Sequence, residues 1–531
     1  MGPRALIQRR ELLALGALGA ASLAACDAPA PRDWSGGWVG ASHARGHRLH
    51  APLPAAGEGP LRRHAVLVIG GGIAGLACAR ALAARGVDFA LLELEDETGG
   101  NSRGHVMAGH ACPLGAHYLP VPDESAAEVQ QLLQELGLAR HQGGRLVVDE
   151  RHLCHAPQER LFIDGQWHDS LLPPPRDAAA LAQYRQFAVL VAQAQRALGF
   201  AMPSTRAPWR AGHAELDAQT FAAWLARQGI TDERLRWYLD YCCRDDYGAD
   251  AATVSAWAGL HYFASRHGFH PPGDDSAERE PVLTWPEGNA GLSRAIARPL
   301  AGQIHAGRTV LRISPGRHEV QVLAWNEQAD APERWVAQQV VMATPLFVAR
   351  RLVDTPPPAL TAAAATARYA PWLVANLLID APLLERPGTP PAWDNVAYGS
   401  RALGYVDAGH QRLSPVPGAT VLTAYWALPE SDRPALLAQD WRTWGRRVVD
   451  DLTTTLHADL PARLQRVDLM RWGHAMSIPV PGVRGSAALA ALRQTQGRLQ
   501  FAHADLAGYS VFEEAYTWGV QAARRVAGTR A

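Results

Sequence analysis

The sequence predicts an α/β fold of two domains, in which a nucleotide-binding domain is interleaved with an α+β domain. Three observations support this prediction. The chain has 531 residues, which is enough for two ordinary domains. A glycine-rich turn follows an apolar run near residue 70. Further strand-like apolar segments return near residues 310, 340 and 500, and long insertions separate them.

The composition is that of a globular protein and excludes two classes of function. The formal net charge is zero, so the chain lacks the basic surplus that nucleic-acid binding requires. No pair of cysteines has the C-x-x-C spacing of a zinc site, and we predict no metal. All 51 basic side chains are Arg, and the chain has no Lys.

Residues 1–26 resemble an export signal that ends in a lipoprotein cleavage site. Arg9-Arg10 precedes a short apolar run and resembles a twin-arginine signal, the type that exports folded proteins with their cofactors. Leu23-Ala24-Ala25-Cys26 resembles a lipobox, which implies that Cys26 carries the lipid. Asp27 resembles an inner-membrane retention signal. We therefore expect a lipoprotein at the periplasmic face of the inner membrane, with residues 27–63, rich in Pro and Gly, as a flexible tether.

The glycine-rich turn has the pattern of a dinucleotide-binding site. Val66–Ile69 is an apolar run typical of a buried parallel strand. The G-x-G-x-x-G pattern follows: Gly70 allows the tight turn, Gly72 allows the backbone to approach a pyrophosphate, and Gly75 allows the next helix to pack closely. A second predicted strand ends in Glu93, about twenty residues after the glycines, where a carboxylate can bind a ribose.

The residues after Glu93 identify the type of dinucleotide by resemblance. Glu97–Arg103 contains Gly99-Gly100 followed by Arg103, and resembles the G-G-x-x-R segment of the FAD-containing amine oxidase superfamily. That superfamily includes phytoene desaturases and protoporphyrinogen oxidase. The resemblance implies that Gly99 and Gly100 pass close to FAD and that Arg103 lies near its pyrophosphate and flavin.

Segments far along the chain resemble the same superfamily. Ile304–Ile313 resembles the strand that lies against the adenine, and Val310 is the expected contact. Phe501-Ala502 resembles the start of the F-A-G-x-E motif, and Asp505 takes the place of its acid near the ribityl chain. Phe512–Ala515 resembles the M-E-G-A helix start, which implies that Phe512 lies beside the flavin. The helix dipole would there stabilise negative charge on the ring.

The resemblance implies a two-domain FAD-binding Rossmann-like fold with an interleaved α+β substrate domain. Three ranges are predicted to form the FAD-binding domain: 64–140, 285–350 and 486–531. Two ranges are predicted to form the substrate domain: 141–284, mainly helical, and 351–485.

Two groups of residues are candidates for chemistry. Arg244, Asp245, Asp246 and Tyr247 form a polar cluster in the helical insert. Its carboxylates could bind a cationic substrate, or the cluster could be an internal Arg–Asp network that holds helices together. Tyr509 and His503, which flank Asp505, are the candidates for catalytic groups facing the flavin.

Some features depart from the amine oxidase pattern. Many members use a Lys near the flavin, which this chain lacks, and a cage aromatic is replaced by Val511. No Cys stands near the C-terminal motif, so FAD should be bound non-covalently. We predict an FAD-dependent oxidoreductase that takes a hydride or two electrons from a small organic substrate. The leading prediction for the substrate is an amine or polyamine. A desaturase or isomerase of an isoprenoid-like apolar substrate, and a non-catalytic electron-transfer or accessory protein, remain the alternatives. The electron acceptor, whether oxygen, a quinone or another, stays open.

Overall fold

Two large sheets organise the protein and confirm the predicted α/β fold class. The computed structural model describes residues 33–52, 61–274, 281–412 and 418–528. The predicted leader, including Cys26, lies outside these ranges. No helix within them is both long and apolar enough to cross a membrane.

The first sheet, which we call the nucleotide sheet, has seven strands. They are β2 (Leu61–Ile69), β3 (Phe89–Leu92), β12 (Ile304–His305), β13 (Arg308–Pro315), β14 (Val320–Asn326), β15 (Ala331–Met342) and β21 (Leu499–Phe501). Their order is β12-β3-β2-β15-β14-β13, and β21 also pairs with β15. The pairs of β2 with β3 and with β15 are parallel, so the ends of β2, β3 and β15 meet at one edge.

The second sheet has eight strands and belongs to the other domain. They are β1 (Ser35–Trp38), β9 (Glu159–Ile163), β10 (Gln166–Asp169), β16 (Arg368–Ile379), β17 (Asp394–Ala397), β18 (Tyr405–Asp407), β19 (Thr420–Ala427) and β20 (Leu464–Ile478). Their order is β1-β20-β16-β19-β18-β17-β9-β10. Three small ribbons complete the strands: β4 (Gly104–Met107) with β5 (His110–Pro113), β6 (Tyr118–Pro120) with β11 (Val282–Thr284), and β7 (Ala139–Gln142) with β8 (Arg145–Val148).

The helices lie on both domains. Those of the N-terminal half are α1 (His43–His47), α2 (Ile73–Ala83), α3 (Ala127–Glu135), α4 (Ala178–Leu198), α5 (Ala211–Asp217), α6 (Phe221–Arg227), α7 (Glu233–Tyr247) and α8 (Ala256–Ala264). The others are α9 (Ala290–Ala297), α10 (Leu346–Leu352), α11 (Pro358–Thr366), α12 (Arg433–Ala438), α13 (Trp441–Thr455), α14 (Leu460–Arg463), α15 (Ala487–Arg493) and α16 (Phe512–Gly528). Helices α4 to α8 fill most of the insert, whose strands β9 and β10 extend the second sheet.

Residues 33–52 are folded, which corrects the prediction of a flexible tether for this part of 27–63. Strand β1 pairs in parallel with β20. A Cβ at Gly36 would lie 1.8 Å from the Val467 carbonyl oxygen, so this glycine serves a close backbone approach instead of flexibility. Trp34 packs edge-on against Trp441, with ring centroids 5.6 Å apart. Pairing with a distant strand leaves no local pattern in the sequence, so the glycines had indicated a linker.

Candidate active site

The glycine turn leaves open space at the N-terminus of α2. Gly70 has a φ of +101°, in the region that favours glycine, and a Cβ on Gly75 would lie 1.9 Å from the Gly70 carbonyl oxygen. A Cβ on Gly72 would meet nothing closer than the Gly100 Cα, at 3.9 Å. Unpaired N–H groups at the start of α2 can therefore face a phosphate group.

The second glycine pair lies directly against the first. The Gly99 N–H donates to the Gly71 carbonyl oxygen at 2.8 Å. Gly99 and Gly100 have φ angles of +126° and +56°, so both need the freedom of glycine. The two glycine segments, separate in sequence, form one wall of a groove.

Glu93 closes the ribose side of this groove. Its Oε2 accepts the Gly71 N–H at 2.6 Å, and its Oε1 accepts the Glu95 N–H at 2.9 Å. Desolvation by burial raises the pKa of the Glu93 carboxyl despite these bonds. The Arg308 N–H donates to the Glu93 carbonyl oxygen at 2.8 Å, which places β13 and Val310 beside the acid. The ribose acid and the adenine strand of the resemblance thus lie together.

Buried polar atoms without partners lie close to the same groove. Arg103 is 4% exposed, and its Nε has no hydrogen-bond partner among the described residues. The Oγ1 of Thr344, which follows β15, is likewise buried without a partner in those ranges. Such atoms are costly unless a ligand or water satisfies them. With the open glycines, they fit a bound dinucleotide: α2 and Arg103 for its pyrophosphate, Glu93 for its ribose.

Asp505 joins the two domains beside the cofactor groove. Its Oδ2 accepts the Leu346 N–H at 2.9 Å and the Tyr369 hydroxyl at 2.6 Å. Desolvation opposes its ionisation, but the His503 ring and the two hydrogen bonds hold the pKa of the Asp505 carboxyl below its usual value. Phe512 begins α16 and stacks on Tyr516 with centroids 5.9 Å apart. Asp505 is therefore an ionised residue that connects Leu346 and Tyr369. Its role toward the ribityl chain stays a prediction.

Both catalytic candidates, Tyr509 and His503, form hydrogen bonds within the protein. Tyr509 is fully buried and its hydroxyl donates to Glu514 Oε1 at 2.7 Å, among the rings of Tyr247, Trp257 and His261. Here Glu514 stands where the resembling motif has Gly, and it gives the Tyr509 hydroxyl an internal acceptor.

His503 has a similar structural role. It caps a short turn, where its Nδ1 accepts the Asp505 N–H at 3.1 Å. The Tyr509 hydroxyl is buried on an internal acceptor, whereas the His503 side chain is 23% exposed, so a catalytic role for either residue stays a prediction.

Three residues of the predicted substrate cluster have close partners within the protein, and the fourth does not. Arg244 bonds Asp240 at 3.1 Å and the Arg401 carbonyl oxygen at 2.7 Å. Arg266 Nη2 donates to both carboxylate oxygens of Asp246, to Oδ1 at 3.1 Å and to Oδ2 at 3.0 Å. The Tyr247 hydroxyl donates to the Ala258 carbonyl oxygen at 2.9 Å. All three have partners within the protein, as the alternative interpretation expects, although the contacts share no residue and Arg244 lines a surface cleft.

The remaining residue, Asp245, faces an aromatic chamber that the sequence did not predict. The Tyr118 hydroxyl lies 3.4 Å from Asp245 Oδ2. The His117 ring stacks on the Tyr425 ring with centroids 4.3 Å apart, and the Trp393 ring centroid lies 5.4 Å from that of His117. We use the name chamber for the region bounded by His117, Tyr118, Asp245, Trp393, Asp394 and Tyr425, in which Asp394 lies close enough to Asp245 and Tyr425 to affect their ionisation.

The chamber adjoins the cofactor groove. The Tyr425 hydroxyl donates to the Gly115 carbonyl oxygen at 3.0 Å. A Cβ on Gly115 would lie 2.3 Å from the Asn101 carbonyl oxygen, so Gly115 packs directly on the segment after Gly100. A substrate in the chamber would therefore lie next to the part of the groove where the resemblance places the flavin.

Burial shifts the titration of the chamber residues. Desolvation, then repulsion from Asp246, raises the pKa of Asp245 to about 7. Desolvation, then repulsion from Glu159 and Asp245, raises the pKa of Asp394 well above its usual value. Desolvation lowers the pKa of His117 to about 3, so this ring is neutral at pH 7. Within the described ranges neither carboxylate has an ion-pair partner at salt-bridge distance.

A surface cleft of about 520 Å³ lies elsewhere, at the C-terminal end of α7. Four of its charged side chains are paired with one another: Arg244 with Asp240 and Arg368 with Glu430, at 3.1 and 2.6 Å. Paired charges at a surface bind a ligand less strongly than unpaired buried ones. The chamber is the better candidate for chemistry.

His117, Tyr118, Trp393, Asp394 and Tyr425 were missed because they come from three distant segments. One local signal was available for the first two. Gly115-Ala116-His117-Tyr118 follows the glycine motifs closely, and a small residue followed by polar aromatics is typical of a wall beside a ligand. Trp393, Asp394 and Tyr425 carry no such signal.

Comparisons with known proteins identify the family and the fold. A family model described as flavin containing amine oxidoreductase matches residues 73–527. Among solved structures, putrescine oxidase bound to putrescine aligns with a TM-score of 0.64 at 18% identity, covering 88% of this chain and 100% of that chain. Cyclohexylamine oxidase from Brevibacterium oxydans aligns with a TM-score of 0.64 at 19% identity, covering 88% and 99%.

A third structure with the same fold has a different described activity. A fatty acid isomerase from P. acnes aligns with a TM-score of 0.61 at 16% identity, covering 87% of this chain and 98% of that chain. A search of curated proteins finds no match. At these identities the structures show the fold alone, while the family model covers most of the chain. This chain belongs to the flavin-containing amine oxidoreductase family, with FAD as its cofactor.

Proposed function

We propose that this flavoenzyme oxidises a small amine or polyamine whose ammonium group binds in the chamber at Asp245 and Asp394. One observation carries the proposal: two carboxylates without ion-pair partners in the described ranges lie in a desolvated aromatic space beside the cofactor groove. Buried charge without a partner is expensive, and a cationic ligand would remove the cost. Aromatic faces attract the same cations.

The chamber residues would handle the substrate's proton and orientation. Bound FAD supplies the two-electron acceptor. A carboxyl with a pKa of about 7 can take a proton from a bound ammonium near neutral pH, and Asp245 has that value. The neutral His117 adds no competing positive charge. The rings of Trp393 and Tyr425 would exclude water.

The same carboxylates argue against the alternative of a wholly apolar substrate. A hydrocarbon placed beside Asp245 and Asp394 would leave both acids desolvated with nothing gained. The fatty acid isomerase comparison keeps this alternative worth testing, since its fold is shared. A role as a non-catalytic flavin carrier is the third outcome.

The experiment is an anaerobic titration of the purified flavoprotein with monoamines, diamines and an apolar alkene. We expect amines to bleach the flavin absorbance and the alkene to leave it unchanged. Recovery in air then separates an oxidase, with fast recovery, from a dehydrogenase, with slow recovery. Bleaching by the alkene alone would replace the proposal with a desaturase, and no bleaching by either would favour the carrier.

We further propose export by the twin-arginine route and a lipid anchor at Cys26. The support is the sequence of the leader, Arg9-Arg10 and the lipobox ending in Cys26, which lies outside the described residues. Cell fractionation measures this directly. The full chain should sediment with membranes and a Cys26→Ser chain should not; equal sedimentation of the two would contradict the anchor.

A further inference from the structure

Residues 33–52, which we call the strap, precede the family match of 73–527 and have no role so far. One end of the strap is built into the second sheet, where β1 pairs with β20 in parallel from Ser35 to Trp38. Trp34 packs on Trp441, and Arg442 lies 3.3 Å from Asp33. The strap is therefore fixed to the substrate domain at its start.

The middle of the strap forms hydrogen bonds with residues 94–96, the loop that follows Glu93. The Ser42 N–H donates to Glu95 Oε1 at 2.8 Å. The Arg45 guanidinium donates to the Leu94 carbonyl oxygen at 3.2 Å and to Asp96 Oδ2 at 3.1 Å. Residues 94–96 follow Glu93 directly and lead to the second glycine pair, so the strap holds the segment between two parts of the groove.

Glu95 connects the strap to two residues that are expected to bind the cofactor. Its backbone N–H donates to Glu93 Oε1 at 2.9 Å. Its Oε2 lies 3.9 Å from Arg103 Nη1, while its Oε1 accepts from the strap. Glu95 thus links Ser42 to Arg103 through its carboxylate and to Glu93 through its backbone N–H.

The end of the strap reaches the adenine strand. Arg48 Nη2 lies 3.0 Å from Glu327 Oε2, and its guanidinium lies over the Trp325 ring at 5.0 Å. Glu327 Oε1 accepts the Thr309 hydroxyl at 2.7 Å, and Thr309 precedes Val310 on β13. The strap therefore contacts the loop after β3 and also Glu327, which hydrogen-bonds Thr309 of β13. These two contacts flank the end of the groove where the adenosine is expected.

We infer that the strap is part of the cofactor-binding site and retains FAD by holding residues 93–96 in place. Ser42 and Arg45 are positioning residues, acting through Glu95, Leu94 and Asp96. FAD binding and the docking of the strap on residues 94–96 are coupled, and such coupling is reciprocal. Bound FAD should therefore also hold the strap in its docked position. This inference concerns the cofactor alone and does not depend on the substrate being an amine.

The first test measures FAD release from the holoenzyme after dilution, followed by the rise in flavin fluorescence. Arg45→Ala should release FAD about 5- to 20-fold faster than the wild type, which is the lower range of typical coupling. The control Arg176→Ala removes an exposed pair, Arg176 with Glu233 at 3.3 Å, and should not change the rate. Equal release from Arg45→Ala and the wild type would overturn the inference.

The second test needs no variant and so does not depend on one folding. Trypsin cleaves after Arg, and the chain offers Arg45 and Arg48 within the strap. Cleavage at these two sites should be at least about fivefold faster in the FAD-free protein than in the holoenzyme. The same rate with and without FAD would contradict the inference, even if amine oxidation were confirmed.

Discussion

Adjacent carboxylates on one helix have opposite surroundings in this protein. Asp246 accepts two hydrogen bonds from Arg266, whereas within the described ranges the hydrogen-bond partner of Asp245 is the Tyr118 hydroxyl at 3.4 Å. Successive helix residues point about 100° apart, so neighbours in sequence face different spaces. The sequence predicted a polar cluster but could not separate its members, because Arg266 and Tyr118 come from other segments of the fold.

At the residue scale we predict that amine binding strengthens as pH rises through 7. Asp245 is protonated below its pKa of about 7, and its ionised form is the one that attracts an ammonium. The dissociation constant of a cationic, non-oxidisable amine should therefore fall until Asp245 is fully ionised. Its pH profile can be measured by the perturbation of the flavin spectrum.

The Asp245→Asn variant tests the assignment of that pH dependence. It should weaken amine binding about 10- to 100-fold, since a hydrogen bond to a charged group contributes about 1.5–3 kcal/mol. It should also flatten the profile near pH 7. Glu233→Gln, at the exposed start of the same helix, is the control and should keep both the affinity and the profile. An unchanged profile in Asp245→Asn would assign the pH dependence to another group.

At the element scale, the nucleotide-binding elements were predictable and the second sheet was not. The strand, the glycine turn, the helix and Glu93, which is predicted to bind the ribose, are consecutive from Val66 to Glu93, so local patterns predict these elements. The pairing of β16 with β20 and of β1 with β20 joins segments whose register no local pattern specifies. The chamber lies partly on that sheet, which is why Asp394 and Tyr425 could not be predicted.

The contact between α2 and α16 gives a prediction at this scale. A Cβ on Gly519 would lie 2.2 Å from the Ala74 carbonyl oxygen and 2.8 Å from the Ala77 Cβ. Gly519→Ala should therefore push the two helices apart and lower the free energy of unfolding by about 1–3 kcal/mol, as overpacking does. Chemical denaturation measures this.

Gly302→Ala is the matched control for Gly519→Ala. A Cβ at Gly302 meets nothing within 4 Å, and this residue has no positive φ. Its unfolding free energy should stay within about 0.5 kcal/mol of the wild type. If Gly519→Ala were equally harmless, the close packing of α2 on α16 would not be tight in solution.

At the scale of the whole molecule, the chain passes repeatedly between the two sheets. Strands of the nucleotide sheet come from residues 61–92, 304–342 and 499–501, and strands of the second sheet lie between and before them. Contacts that tie the domains near the cofactor groove include the Tyr369 hydroxyl on Asp505, the Tyr425 hydroxyl on Gly115, and the strap from β1 to Glu95. Neither domain is a continuous segment, so we expect neither to unfold alone.

We therefore predict a single unfolding transition for the whole protein, which FAD shifts as a unit. A ligand that binds only the folded state at 100 times its dissociation constant adds about 2.7 kcal/mol to the free energy of unfolding. Circular dichroism, which reports helices of both domains, and flavin release should give the same midpoint, and that midpoint should rise with FAD concentration. Two separate transitions, with only one moved by FAD, would show that the domains are independent and that the strap and Asp505 do not couple them.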